Sequence, residues 1–168
     1  PDRVPVGGHH VTSDIARGLS TPLAHSERMK TLYGHVIAAP TDERELIDVP
    51  QVGEDETSES QQIPRSLLVG IIQPRVEETL ELVRSRLELS GFDKIAGRRV
   101  VLTGGACQLP GTRELASTVL DKQVRIGRPL RLSPAEPNLT SVKKMNTLLV
   151  IAHLLSGKFA TDAPRTKP

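Results

Sequence analysis

Two glycines follow a short apolar, β-branched run at Arg99-Val100-Val101-Leu102-Thr103-Gly104-Gly105. Without a Cβ, such a backbone can approach a ligand closely, and nucleotides favour crevices at the carboxyl ends of strands. The pair equally suits a tight turn that needs positive φ, and the dipeptide alone does not separate the two readings. Gly7-Gly8 precedes an apolar pattern of period four and carries the same ambiguity. Backbone N–H groups at a helix N-terminus attract phosphate, yet a plain turn has the same spacing. Glu27 and Lys30 stand three apart and so share a helix face, as a solvated ion pair or as polar heads lining an adenosine site. Along the longest periodic segment lie Arg65, Arg75 and Glu78, with Arg84 and Arg86 farther on. Guanidinium groups suit bidentate carboxylate recognition, so an acidic peptide could dock there, although a solvated mixed-charge face is the simpler reading.

Other chemistries are poorly provided for. His9 and His10 are adjacent and point different ways, while His25, His35 and His153 lack partners at ligand spacing, so no metal site is expected. There is no Ser/His/Asp arrangement, no Walker-type loop and no HExxH, and no catalytic residue is assigned. The 168 residues include one Cys, which excludes an internal disulfide framework and agrees with a reducing cytoplasm. A net charge of +2, with two Phe, one Tyr and no Trp, gives no argument for nucleic-acid binding. No apolar run reaches the roughly 20 residues needed to span a bilayer. The apolar content of 37% is enough for a packed core. The absence of an initiator Met and of a signal-peptide pattern suggests a piece of a longer chain.

The elements that must position these residues follow from periodicity. Val11, Ile15 and Leu19 predict a short helix within 4–20, with Thr12 or Ser13 near its start. Thr21 as N-cap, Pro22 at the first helical position and Gly34 as the stop predict a helix over about 22–33, burying Met29, Leu32 and Tyr33. Val36-Ile37 and the group Leu46, Ile47 and Val49 read as two short strands. Residues 53–62 are acidic and read as an exposed, mobile loop. Leu68, Ile72, Val76, Leu80, Val83 and Leu87 predict a long helix ending at Gly91, which Pro74 should kink or split. Residues 99–102 form a strand. Pro110-Gly111-Thr112 caps a helix with Leu115, Val119 and Leu120 inward, Val124-Arg125-Ile126 forms a strand, and a final helix is expected over 139–156. This alternation argues for an α/β architecture.

Taken in order, these blocks resemble the C-terminal part of the FtsA family, the bacterial actin-like cell-division proteins. The resemblance rests on Val6-Gly7-Gly8-His9-His10-Val11-Thr12-Ser13-Asp14-Ile15-Ala16, on Ser26-Glu27-Arg28-Met29-Lys30 through Tyr33-Gly34, and on Ile72-Gln73-Pro74-Arg75 with Glu78. Val100 through Ala106 and Gln123 through Pro129 complete it, so that it covers about residues 4–133. It implies the second lobe of an actin-like (ribonuclease H-like) ATP-binding fold with an inserted α/β subdomain. Residues 4–20 plus 98–157 would form the core subdomain and 21–97 the insert. Residues 158–168 would be a linker to an absent C-terminal membrane helix.

By that resemblance Gly104 and Gly105 would touch the adenosine of ATP, Glu27 and Lys30 would flank its ribose and base, and Gly7 and Gly8 would lie near the nucleotide end of the same cleft. Mg2+ would accompany ATP in the intact protein. Arg65, Arg75 and Glu78 would bind the C-terminal tail of the tubulin-like FtsZ. The implied role is an ATP-binding, self-assembling adaptor with other division partners, tethering FtsZ filaments to the inner face of the cytoplasmic membrane at the septum. Any ATPase would be weak. The first lobe, the main phosphate hairpins and the small-residue start of the last helix are missing from the pattern. An enzyme of the same fold, such as a sugar kinase or an Hsp70-type chaperone ATPase, is the alternative.

Overall fold

The computed structural model describes residues 4–50, 61–91, 99–127 and 149–152. The first helix, α1 (Gly8–Gly18), buries Val11 and Ile15 on one face, and Leu19 at its C-cap continues that face. The second, α2 (Leu23–Tyr33), starts after Pro22 and stops at Gly34. Thr21 does not cap it; its hydroxyl instead donates to the Pro50 carbonyl at 2.5 Å. The buried face of α2 keeps Met29, as expected, but not Leu32 or Tyr33. Ser26, Met29 and Lys30 form it, and Leu32 is left 59% exposed with Tyr33 beside it at the surface. A cation takes an inward position because α1 supplies oxygens to receive it, as described below.

A hairpin follows, with β1 (Leu46–Val49) antiparallel to β2 (Gln61–Pro64) and Ile47 opposite Ile63. Gln61 and Gln62, expected in the acidic loop, belong to β2. The outer face of a half-buried strand tolerates them, and the Gln62 amide donates to Asp48 Oδ1 at 3.0 Å. Val36-Ile37 is not a strand. Val36 is buried and gives its N–H to the Pro110 carbonyl at 2.9 Å, with no partner strand among the described residues, while Ile37 faces solvent. The rest of the expected loop, residues 53–60, lies outside the described residues.

The longest helix, α3 (Arg65–Leu89), runs unbroken through Pro74, so the expected split does not occur. Leu68, Ile72, Val76 and Leu80 are buried on both sides of the proline, and that continuous apolar stripe offsets the backbone bond the proline forfeits. Next come β3 (Arg99–Thr103), a short 3-10 turn at Ala106–Gln108, α4 (Thr112–Leu120) and β4 (Gln123–Ile126). Gly111 is the N-cap of α4, with φ +85°, so the cap is a left-handed glycine and not a side chain. Within α4, Val119 and Leu120 are buried and Leu115 is packed against the core at its edge.

β3 pairs in parallel with β4 through the α4 crossover, and it pairs antiparallel on its other side with β5 (Leu149–Ala152). The strand β5 replaces part of the helix expected over 139–156. Leu149-Val150-Ile151-Ala152 is an apolar run with two β-branched residues, and the free edge of β3 gives it a ladder to complete. The remainder of that expected helix and the tail 158–168 lie outside the described residues.

One contiguous core joins these parts. Val11 and Ile15 of α1, Leu68 and Ile72 of α3, Leu102 of β3 and Ala116 of α4 all belong to it, with α3 packed between α1 and α4. The helix α3 is therefore the spine. Truncating Ile72 to Ala should cost about 2–5 kcal/mol of unfolding free energy, read from urea denaturation. A loss well under 1 kcal/mol would contradict its central packing.

Candidate functional site

Lys30 and Glu27 do not form a solvated pair. Lys30 is 4% exposed, and its ammonium reaches Glu27 Oε2 at 2.6 Å, Thr12 Oγ1 at 2.7 Å and the Gly8 carbonyl at 3.2 Å. Thr12 is buried one turn above Gly8, and its hydroxyl lies 2.5 Å from Glu27 Oε2 and 3.1 Å from the Gly8 carbonyl. A hydroxyl has one proton to give, and the shorter contact to a charged acceptor takes it. The side chain of Glu27 remains 42% exposed, so the carboxylate stands at the rim of this cluster while the ammonium is inside it.

The α1 N-terminus is satisfied in part by its own residues. The Gly7 carbonyl accepts the His10 N–H at 2.9 Å, and His10 Nδ1 accepts the Gly7 N–H at 3.2 Å, half of a capping box. Gly7 and Gly8 line a narrow, mostly apolar depression together with Val11, Ala106 and Thr112. Thr112 Oγ1 is buried there without a hydrogen-bond partner among the described residues.

At the end of β3 the chain turns at Gly104, whose φ of +107° would strain any residue with a Cβ. Gly105 has an ordinary φ of −65°. The requirement for glycine thus falls on Gly104. Its carbonyl accepts the Cys107 thiol proton at 2.8 Å, which pins the turn, and burial pushes the Cys107 thiol above its usual value. The structure therefore brings Gly8, Glu27 and Lys30 together, and the depression lined by Gly7 and Gly8 also takes in Ala106, the residue that follows Gly104-Gly105. Among the described residues no cluster of acids, histidines or cysteines could hold a metal ion, and no helix is long and apolar enough to cross a membrane.

The other candidate residues lie along α3. Arg65 gives its Nε–H to the Tyr33 carbonyl at 2.9 Å and its Nη1 to Glu45 Oε2 at 2.6 Å, with Asp42 at 3.7 Å. Arg75 pairs with Asp14 of α1 through Nε and with Glu78 through Nη1 at 2.5 Å. The hydrogen bond with Asp14 is the leading reason that the Arg75 guanidinium holds its proton more tightly than usual. Arg75 and Glu78 are thus neighbours. Arg65 sits ten residues earlier, about 15 Å along the helix. Both arginines are already engaged within the chain. Sequence reasoning did not single out Thr12 or Asp14 as partners, although each lies at helical spacing on α1 from a residue it did choose.

Comparison with known proteins decides the relationship. The family described as "Cell division protein FtsA" matches residues 2–144. The chain belongs to the FtsA family. It is 51% identical over 132 residues to the cell division protein FtsA of Rhizobium meliloti (strain 1021), covering 79% of this chain and 30% of that protein. The FtsA of Bacillus subtilis (strain 168) is 35% identical over 134 residues, covering 80% of this chain and 30% of that one. The FtsA of Pseudomonas aeruginosa PAO1 is 35% identical over 126 residues, covering 75% and 30%. This FtsA-family chain therefore spans about a third of the length of these relatives. Membership implies an actin-like fold, with which the mixed α/β arrangement agrees.

The buried Cys107 gives a direct check on the turn. Its alkylation by iodoacetamide at pH 8 should be about tenfold or more slower in the folded chain than in urea. Equal rates would mean that the 104–107 turn is open.

Proposed function

We propose that this chain forms the second lobe of an actin-like division adaptor that binds ATP, self-assembles and tethers FtsZ filaments to the inner face of the cytoplasmic membrane at the septum. Residues 4–20 plus 98–157 make its core subdomain and 21–97 the inserted one, with 158–168 as a linker toward a C-terminal membrane helix. Other division proteins are further partners. The observation that carries the nucleotide part is the cluster of Gly8, Thr12, Glu27 and Lys30 beside the depression that also receives Ala106.

These residues suit an adenosine. Glycine backbone at Gly104 and Gly105 offers a flat approach to the base, and the half-exposed Glu27 carboxylate can accept ribose hydroxyl protons. The N-terminus of α1 at Gly7-Gly8 presents a partial positive charge to phosphate. Mg2+ would come bound to the phosphates, which need further protein groups from a first lobe. ATP then acts chiefly as a conformational ligand, stabilising closed lobes by binding them better than open ones.

For the partner, Arg75 and Glu78 on α3, with Arg65 before them, offer paired charge beside an exposed helix face to an acidic, partly apolar tail. Family membership favours this adaptor over a sugar kinase or a chaperone ATPase of the same fold.

Two substitutions in a full-length FtsA polypeptide containing this segment test the two halves separately. Glu27→Ala should weaken ATP binding about tenfold, the loss of one charge-assisted hydrogen bond. Arg75→Glu should weaken binding of the FtsZ C-terminal peptide by about tenfold or more, with circular dichroism unchanged. Unaltered affinity in either titration would remove that half of the proposal.

A further inference from the structure

We infer that Thr12 is a positioning residue of the nucleotide site, fixing the Glu27 carboxylate toward the ribose. The inference rests on the adenosine reading above and adds a residue to it. Thr12 is 1% exposed and lies behind the cluster, so it acts through Glu27 and not on the ligand itself. Its hydroxyl accepts from the Lys30 ammonium at 2.7 Å and donates to Glu27 Oε2 at 2.5 Å. Accepting from a cation polarises the O–H and strengthens the bond it donates. Glu27 is thereby held at one oxygen by two donors from two helices, Thr12 on α1 and Lys30 on α2. A carboxylate on a long, half-exposed side chain samples several rotamers when unconstrained, and two converging bonds remove that freedom before a ligand arrives.

A small hydroxyl suits this place. The position must accept a hydrogen bond from Lys30 and donate one to Glu27, and Thr or Ser does both at once through one oxygen. A carboxylate would repel Glu27, and an apolar side chain would leave the buried ammonium short of an acceptor. Lys30 shares this role, since its ammonium is buried against the same two partners and the Gly8 carbonyl. Holding Gly8 also fixes the first turn of α1, so the ribose side and the phosphate side of the site are set by one cluster.

The test compares ATP with 2′-deoxy-ATP, because a ribose-directed carboxylate discriminates between them and a merely structural residue does not. Binding is measured in a full-length FtsA polypeptide containing this segment, for the unaltered protein and for T12V, T12S and E27A. The unaltered protein and T12S should prefer ATP, and T12V should reduce that preference by about tenfold, the equivalent of one well-placed hydrogen bond. T12C, smaller than threonine and weak as donor and acceptor, gives the same readout should T12V fail to fold. Equal losses for both nucleotides in T12V or T12C, or no loss for either, would overturn the positioning role. If E27A itself leaves ATP affinity and the preference unchanged, the adenosine reading fails, and the Thr12 inference fails with it.

Discussion

A lysine ammonium buried between two helices sets the terms for the rest of this chain. Removing such a charge from water costs several kcal/mol unless fixed oxygens replace the lost hydration. Lys30 finds two of its oxygens on α1, from Gly8 and Thr12, and one on its own helix, from Glu27. The angle and register of α1 against α2 must therefore satisfy that requirement as well as the apolar packing of Val11, Ile15 and Met29. A shift of one residue of either helix along the other would move the ammonium away from both acceptors on α1. The cluster thus selects one arrangement among the several that hydrophobic burial alone would allow.

From α1 the constraint passes to α3. Asp14 lies a little over half a turn beyond Thr12 and pairs with Arg75, while Ile15 meets the core that contains Ile72. One short helix therefore carries Gly8 and Thr12 toward the candidate nucleotide cluster and Asp14 toward the candidate partner residues. The helix α3 in turn packs on α4, whose N-terminus adjoins the turn that follows β3. The glycine turn after β3, the Glu27–Lys30 pair on α2 and the Arg75–Asp14 pair between α3 and α1 are separate features, but a single continuous core holds them in place.

Much of this was legible in the sequence where periodicity is strong. Val11, Ile15 and Leu19, the stripe from Leu68 to Leu80, and the β3–turn–α4–β4 order follow from spacing and from the glycines that end each run. The failures have physical reasons. The inward side of α2 was misjudged because a residue that is usually exposed, Lys30, is buried by acceptors on another helix. The expected strand at Val36-Ile37 lacks a partner among the described residues, which sequence periodicity cannot supply. The strand at 149–152 was hidden inside an apolar stretch that reads equally well as helix, and the vacant edge of β3 decides between them. Gly104 was chosen correctly as special, but its need for positive φ belongs to the turn whether or not a ligand is near.

The most direct test is amide hydrogen exchange of a full-length FtsA polypeptide containing this segment, with and without ATP. A nucleotide seated between the Gly104 turn and the α1–α2 cluster should slow exchange at residues 7–12, 26–30 and 103–107 together, and leave the exposed C-terminal turns of α3 near Leu89 unchanged. Saturating ATP with no added protection in any of those three segments would contradict a nucleotide site built on the Lys30 cluster.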